Sequence, residues 1–175
     1  MALTIAAMAF AASFSCAAAA NGIATARMGA TIGTPVILVN SADMDFGKIA
    51  QANTAGTVIL APGSTSSCTM TGGLIHSGNC HAATFDGQVR FLFALQITPP
   101  AGNSISLTGP GGATMVLDNF TFRAGSGLLG LTSTRFLILN LDGSFTFYAG
   151  GTLHVGANQL PGVYNGTFQI QLNYN

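Results

Sequence analysis

Four residues lying close together in the chain, Cys68, His76, Cys80 and His81, are of the types that form disulfides or hold soft metal ions. The only other cysteine, Cys16, sits in an apolar amino-terminal run. If that run is removed on export, Cys68 and Cys80 remain as an even pair. In an oxidising compartment such a pair is most simply a disulfide. The rival reading is a metal site built from all four residues, although their spacing lacks the close cysteine pair of ordinary zinc sites. Asp43 and Asp45, two apart, would place both carboxylates on one strand face and could meet a hard cation together with loop carbonyls. Two carboxylates are few for calcium. The remaining acids, Asp86, Asp118 and Asp142, fall at turns or strand ends, where turn hydrogen bonding is their ordinary role. His154 sits in mid-strand, on a solvent face. Gly125-Ser-Gly-Leu-Leu-Gly130 has the letters of a dinucleotide-binding loop, but no strand–helix unit surrounds it and no acid follows about twenty residues on, so it reads as a loop.

No nucleophile elbow, carboxylate pair or Ser, His and Asp set can be assembled from these residues. The expectation is therefore a protein that is not an enzyme and needs no cofactor and no resident metal. Of 175 residues, five are basic and five acidic, and the net charge is zero. With no basic run there is no footprint for a phosphate backbone, so nucleic acid is not an expected partner. Apolar residues make up 49% of the chain, too many for disorder.

Residues 1–20 are almost entirely Ala, Leu, Ile, Met and Phe, and they end on Ala18-Ala19-Ala20, an A-x-A cleavage site. They read as a secretory signal peptide, too short and Ala-rich for a membrane span, though no Lys or Arg precedes the apolar run. A second such site, Ala24-Thr25-Ala26, would move the cut to after residue 26. Residues 21–33 form an extension in which Ala24, Ala26, Met28, Ala30 and Ile32 fall on one face. Two readings stand for it: a first strand of the domain's own sheet, or a donor strand that completes a neighbour's sheet.

Residues 34–175 form one domain with no credible helix. Alternating or β-branched runs occur at Pro35–Val39, Gly56–Ala61, Val89–Ile97, Ser104–Thr108, Met115–Phe122, Arg135–Leu141, Ser144–Tyr148 and Thr152–Val155. Gly, Pro, Asn and Asp separate them, and Asp142-Gly143 carries the strongest hairpin signal. About ten short strands imply an all-β, antiparallel sandwich of immunoglobulin-like type.

The last stretch is the most regular. Tyr164, Gly166, Phe168, Ile170, Leu172 and Tyr174 alternate with Asn165, Thr167, Gln169, Gln171 and Asn173, the pattern of a strand with one face in a core. On this reading Phe168, Ile170 and Leu172 are buried and the strand is central. Together with the next-to-last aromatic Tyr174 and with Gly162 fourteen places from the end, the stretch resembles the final strand of chaperone-usher pilus subunits. Gly150-Gly-Thr-Leu-His-Val-Gly-Ala-Asn-Gln-Leu-Pro-Gly-Val-Tyr-Asn-Gly-Thr-Phe168 and Met44-Asp-Phe-Gly-Lys-Ile49 resemble the secreted bacterial domain-of-unknown-function family 4402, which is similar to archaic pilin and spore-coat-like domains.

Those resemblances imply a secreted, cell-surface, fimbrial or pilin-like structural or adhesive subunit exported through the periplasm. Its partners would be like subunits or a periplasmic chaperone, engaged by strand addition through Gly162, Tyr164, Phe168, Ile170, Leu172 and Tyr174. The alternative is a monomeric secreted sandwich that binds carbohydrate or another ligand through its loops. Such sites usually present aromatic platforms, yet Trp is absent and most Phe and Tyr lie on alternating core faces.

Overall fold

A computed structural model describes residues 37–50, 52–89 and 93–174 of the chain. The amino-terminal run and the candidate donor residues Ala24, Ala26, Met28, Ala30 and Ile32 lie outside the described residues. The described chain is an all-β, antiparallel sandwich with thirteen strands: β1 (Ile37–Ala42), β2 (Lys48–Ala50), β3 (Gly56–Ala61), β4 (Ser67–Met70), β5 (Ile75–Ser77), β6 (Ala83–Gln88), β7 (Ala94–Thr98), β8 (Ser104–Thr108), β9 (Thr114–Ala124), β10 (Leu128–Gly130), β11 (Arg135–Ile138), β12 (Ser144–Val155) and β13 (Gln171–Tyr174). Among the described residues no helix is long and apolar enough to cross a membrane.

The larger sheet is built on β12. One of its edges pairs first with β6 along Ser144–Ala149 and then with β3 along Gly151–Val155, while the other edge takes β9. Strand β1 lies outside β6, β4 outside β3 and β8 outside β9. The smaller sheet runs β10, β11, β7, β13, and β2 pairs with β5 separately. Side chains from both sheets make one core, with Val58, Leu60, Phe85, Leu117 and Phe147 from the larger and Leu95, Ile97, Phe136 and Ile138 from the smaller. Phe147 is fully buried, stacked on Phe85 at 5.1 Å between ring centroids and met edge-on by Phe122 at 6.4 Å. No polar side chain is buried among the described residues.

Three features depart from the pattern expected of the sequence. The run Val89–Ile97 alternates as a single strand would, yet β6 ends at Gln88 in one sheet and β7 begins at Ala94 in the other. Alternation survives because both sheets face the same core, so Val89, just past β6, and Leu95 and Ile97 in β7 are all buried. Asp142-Gly143 does turn the chain, with the Gly143 N–H donating to the Asn140 carbonyl at 2.9 Å. It joins β11 of one sheet to β12 of the other, so it is a corner between sheets and not a hairpin. The Ser144 N–H and hydroxyl, both donating to the Asp142 carboxylate, hold that carboxyl below its usual range.

The third departure is β12 itself, which runs unbroken through Gly150-Gly151, where Ser144–Tyr148 and Thr152–Val155 read as two strands. These glycines mark where β12 changes partner from β6 to β3. A Cβ on Gly150 would lie 2.2 Å from the Leu60 carbonyl oxygen, so the glycine is a close approach and not a break.

Candidate functional site

Beyond β12 the chain turns at Ala157–Asn158, bends at Gly162 and closes a corner. The Tyr164 hydroxyl donates to the Leu160 carbonyl at 2.8 Å and accepts from the Gln159 side-chain amide at 2.8 Å. This is the arrangement of a tyrosine corner, in which a phenol fixes a bend to main chain a few residues upstream. Its ring lies over Gly109, where a Cβ would fall 2.4 Å away, and Gly162 packs against Pro110. Gly162 and Tyr164 therefore sit in the corner against the β8–β9 turn.

From the corner the chain passes between sheets. Asn165 makes two main-chain bonds with Thr108 at the end of β8, and Gln171–Tyr174 pairs with β7. Between these anchors, Gly166–Ile170 makes no main-chain hydrogen bond to any described residue. The expected alternation holds in attenuated form: Phe168, Ile170, Leu172 and Tyr174 are half-buried, and Thr167, Gln169, Gln171 and Asn173 are exposed. Phe168 packs on Phe120 at 5.1 Å and edge-on to Phe85 at 6.2 Å, and Tyr174 meets Phe93 at 6.0 Å. The last part of this segment, β13, lies in the smaller sheet, where β7 is its one partner strand among the described residues. Ile170 and Leu172, expected to be buried, are half-buried.

Beside this segment opens a cleft of about 870 Å³. Its floor is the inner face of β8, β9 and β12, with Ile105, Leu107, Met115, Leu117, Leu153 and Val155. One wall is Asp43–Ala50, including Met44, Phe46 and Ile49, and the other is Gln159–Phe168. Phe168 lines it, whereas Ile170 and Leu172 pack elsewhere on the core. Ile105, Leu107 and Met115 had read only as strand residues. Their alternation signals an inward face and carries no sign that the face is left uncovered.

The Asp43–Ala50 wall is held from behind. Asp45 and His81 exchange main-chain bonds of 2.8 and 2.7 Å, and β2 pairs with β5. The Asp45 carboxylate accepts from the Gly47 N–H at 2.8 Å, a local turn. Behind β5, Cys68 and Cys80 are joined as a disulfide with Cα atoms 6.0 Å apart. Closing a loop of that sequence separation, 12 residues, is worth about 3 kcal/mol. The Cys68→Ala, Cys80→Ala double variant should therefore melt roughly 6–12 °C lower. A melting temperature unchanged in a thermal scan would show that the bond does not restrain the unfolded chain.

The other chemistry-bearing residues are dispersed. The His154 Nε2 lies 2.9 Å from the Asp118 carboxylate, which accepts from it, on the outer face of the larger sheet. In the glycine-rich stretch, Ser126-Gly127 forms a turn and Leu128–Gly130 is β10, so part of the expected loop is strand.

Residues 36–174 match the model of a family described as Domain of unknown function (DUF4402). No curated protein matches the chain, and no solved structure does.

Proposed function

The chain belongs to the DUF4402 family, and we propose that it is an exported, non-enzymatic structural or adhesive surface subunit, pilin-like, that associates by β-strand addition along Gly166–Ile170. The observation that carries this reading is the pairing gap. Five consecutive residues lack main-chain partners among the described residues, next to a cleft with an apolar floor and above a row of half-buried side chains. Unpaired main-chain groups beside apolar surface are a template for another strand, whose backbone would supply the bonds and whose alternate side chains would enter the cleft. The disulfide between Cys68 and Cys80 suits an exported protein.

The proposed occupant is residues 24–32 of a like subunit, presenting Ala24, Ala26, Met28, Ala30 and Ile32 inward. A periplasmic chaperone would hold the same edge before assembly. A shift of one residue would present Thr25, Arg27 and Thr31 to the cleft instead, so register is strongly set. Deleting residues 21–33 should give a monomer that binds a peptide of that sequence, with slowed amide exchange at Thr167–Ile170. The same peptide carrying Met28→Asp should not bind. A wild-type protein that stays monomeric at high concentration, with exchange at Thr167–Ile170 unmoved by the peptide, would sink the idea.

The cleft's size favours a second reading, a monomeric domain that binds a carbohydrate or another small ligand, since about 870 Å³ falls within the range of small-molecule sites. Against it, Gln159 and Tyr164, the groups best placed to orient a ligand, already bond to their own chain. A soluble glycan that slows exchange in β8 and β9 but leaves Thr167–Ile170 unchanged would favour this reading.

A further inference from the structure

The disulfide does not stand alone. The His76 Nε2 lies 3.3 Å from the Cys80 Sγ and 2.9 Å from the carbonyl oxygen of Phe46. The ligand atoms of Cys68, His76 and Cys80 all lie within 4.8 Å of one another, and all three residues are half-buried. They come from β4, β5 and the loop that follows β5, brought together by the β3–β4 and β2–β5 pairings. Gly47 clears the place for the imidazole, because a Cβ there would fall 2.6 Å from Nε2.

We infer that the reduced chain holds one zinc-like divalent ion between Cys68 Sγ, Cys80 Sγ and His76 Nε2, and that the ion and the disulfide are mutually exclusive occupants of this site. Zinc bonds of about 2.3 Å to sulfur and 2.0–2.1 Å to nitrogen, at tetrahedral angles, put sulfur and nitrogen ligands roughly 3.5 Å apart. The Cys80–His76 separation is already close to that value. The two sulfurs must move apart and Nε2 must give up its hydrogen bond to the Phe46 carbonyl, and a Cα separation of 6.0 Å leaves the cysteine side chains free to turn.

Thiolates and an imidazole suit zinc, whereas hard cations prefer carboxylates and carbonyls. On binding, the two thiols give up their protons and the imidazole carries its proton on Nδ1, leaving Nε2 to the metal. His81 takes no part, although the sequence grouped it with the other three: its Nδ1 lies against the Ala82 carbonyl at 2.9 Å and its main chain is tied to Asp45. The inference is independent of strand addition.

The test uses the mature protein, oxidised and phosphine-reduced, titrated with cobalt(II) and then zinc(II). The reduced protein should take up one cobalt with thiolate-to-metal charge-transfer absorption, which zinc abolishes, and the oxidised protein should show none. His76→Ala should weaken binding by more than about tenfold, since even the outer-shell partners of a ligand are worth about 10–100-fold, and His81→Ala should leave it unchanged. Zinc should also raise the melting temperature of the reduced wild type but not of reduced His76→Ala, so the experiment still reads if reduction loosens the fold. Equal affinity in wild type and His76→Ala, charge-transfer bands in the oxidised protein, or a reduced protein whose melting temperature ignores zinc would each overturn the assignment.

Discussion

Replacing Gly150 by alanine should cost more stability than any other single methyl group added to β12, and is expected to leave little folded protein. The added Cβ would lie 2.2 Å from the Leu60 carbonyl oxygen and 2.9 Å from both Cδ and the main-chain nitrogen of Pro62. The obstacle is mostly main chain, so no side-chain rotation relieves it. Opening β12 from β3 would break the pairing that carries Val58 and Leu60, both fully buried. Overpacking in a well-packed interior costs about 1–3 kcal/mol when neighbours can move, and more here because they cannot. Gly151→Ala is the control. Its Cβ would meet the Asp118 carbonyl at 3.0 Å and the flexible end of Leu117 at 3.1 Å, which a small shift accommodates. Urea unfolding of the two variants decides the matter. Equal midpoints would mean that Gly150 is an ordinary strand position and that β12 does not cross at that point.

Phe147→Ala should remove about 3–5 kcal/mol, the usual cost of deleting a fully buried phenylalanine and leaving a cavity. Phe147 is expected at the high end, because rings surround it on several sides: Phe85 stacked at 5.1 Å, Phe145 near-parallel at 6.4 Å and Phe122 edge-on at 6.4 Å. Those rings are anchored on three different strands, β6, β12 and β9, whose pairing with one another resists collapse into the hole. Against a whole-domain stability of about 5–15 kcal/mol, the loss would leave the variant marginal at room temperature. Phe147→Leu, which refills most of the volume, should recover the larger part. Chemical denaturation with a shared slope for all three proteins reads the difference directly. A loss under about 1 kcal/mol would show that the space closes by relaxation.

Both variants probe positions whose residue types were visible in the sequence while their roles were not. Phe145 and Phe147 lie two apart in an alternating run, so their inward orientation follows from the two-residue period of a strand. Gly150-Gly151 was equally visible, but glycine marks a turn, a bulge or a close approach, and only the neighbour decides which. The same limit explains Ala83-Thr-Phe-Asp-Gly-Gln88. Its inward positions are Ala83, Phe85 and Gly87, too small on average to register as a strand, yet β6 pairs on both edges. Gly87 is empty because the Phe145 ring fills its place: a Cβ would lie 2.3 Å from the ring.

What the sequence by itself determined is the all-β class, the family, the inward face of most segments and the two cysteines available to pair. Each is written in residue type and in short-range periodicity. Sheet membership was decided only by tertiary structure. Alternation reports which side chains face a core, and a sandwich has one core between two sheets. A segment can therefore leave one sheet and join the other without losing its period, as Val89–Ile97 does and as Asn165–Tyr174 does again. The lack of main-chain partners for Gly166–Ile170 among the described residues, the cleft beside it and the meeting of His76 with the disulfide all arise where strands from distant parts of the chain come to rest. Long-range pairing of that kind is fixed by which edges remain free after the core has closed, a property of the whole fold that no local stretch of residues contains.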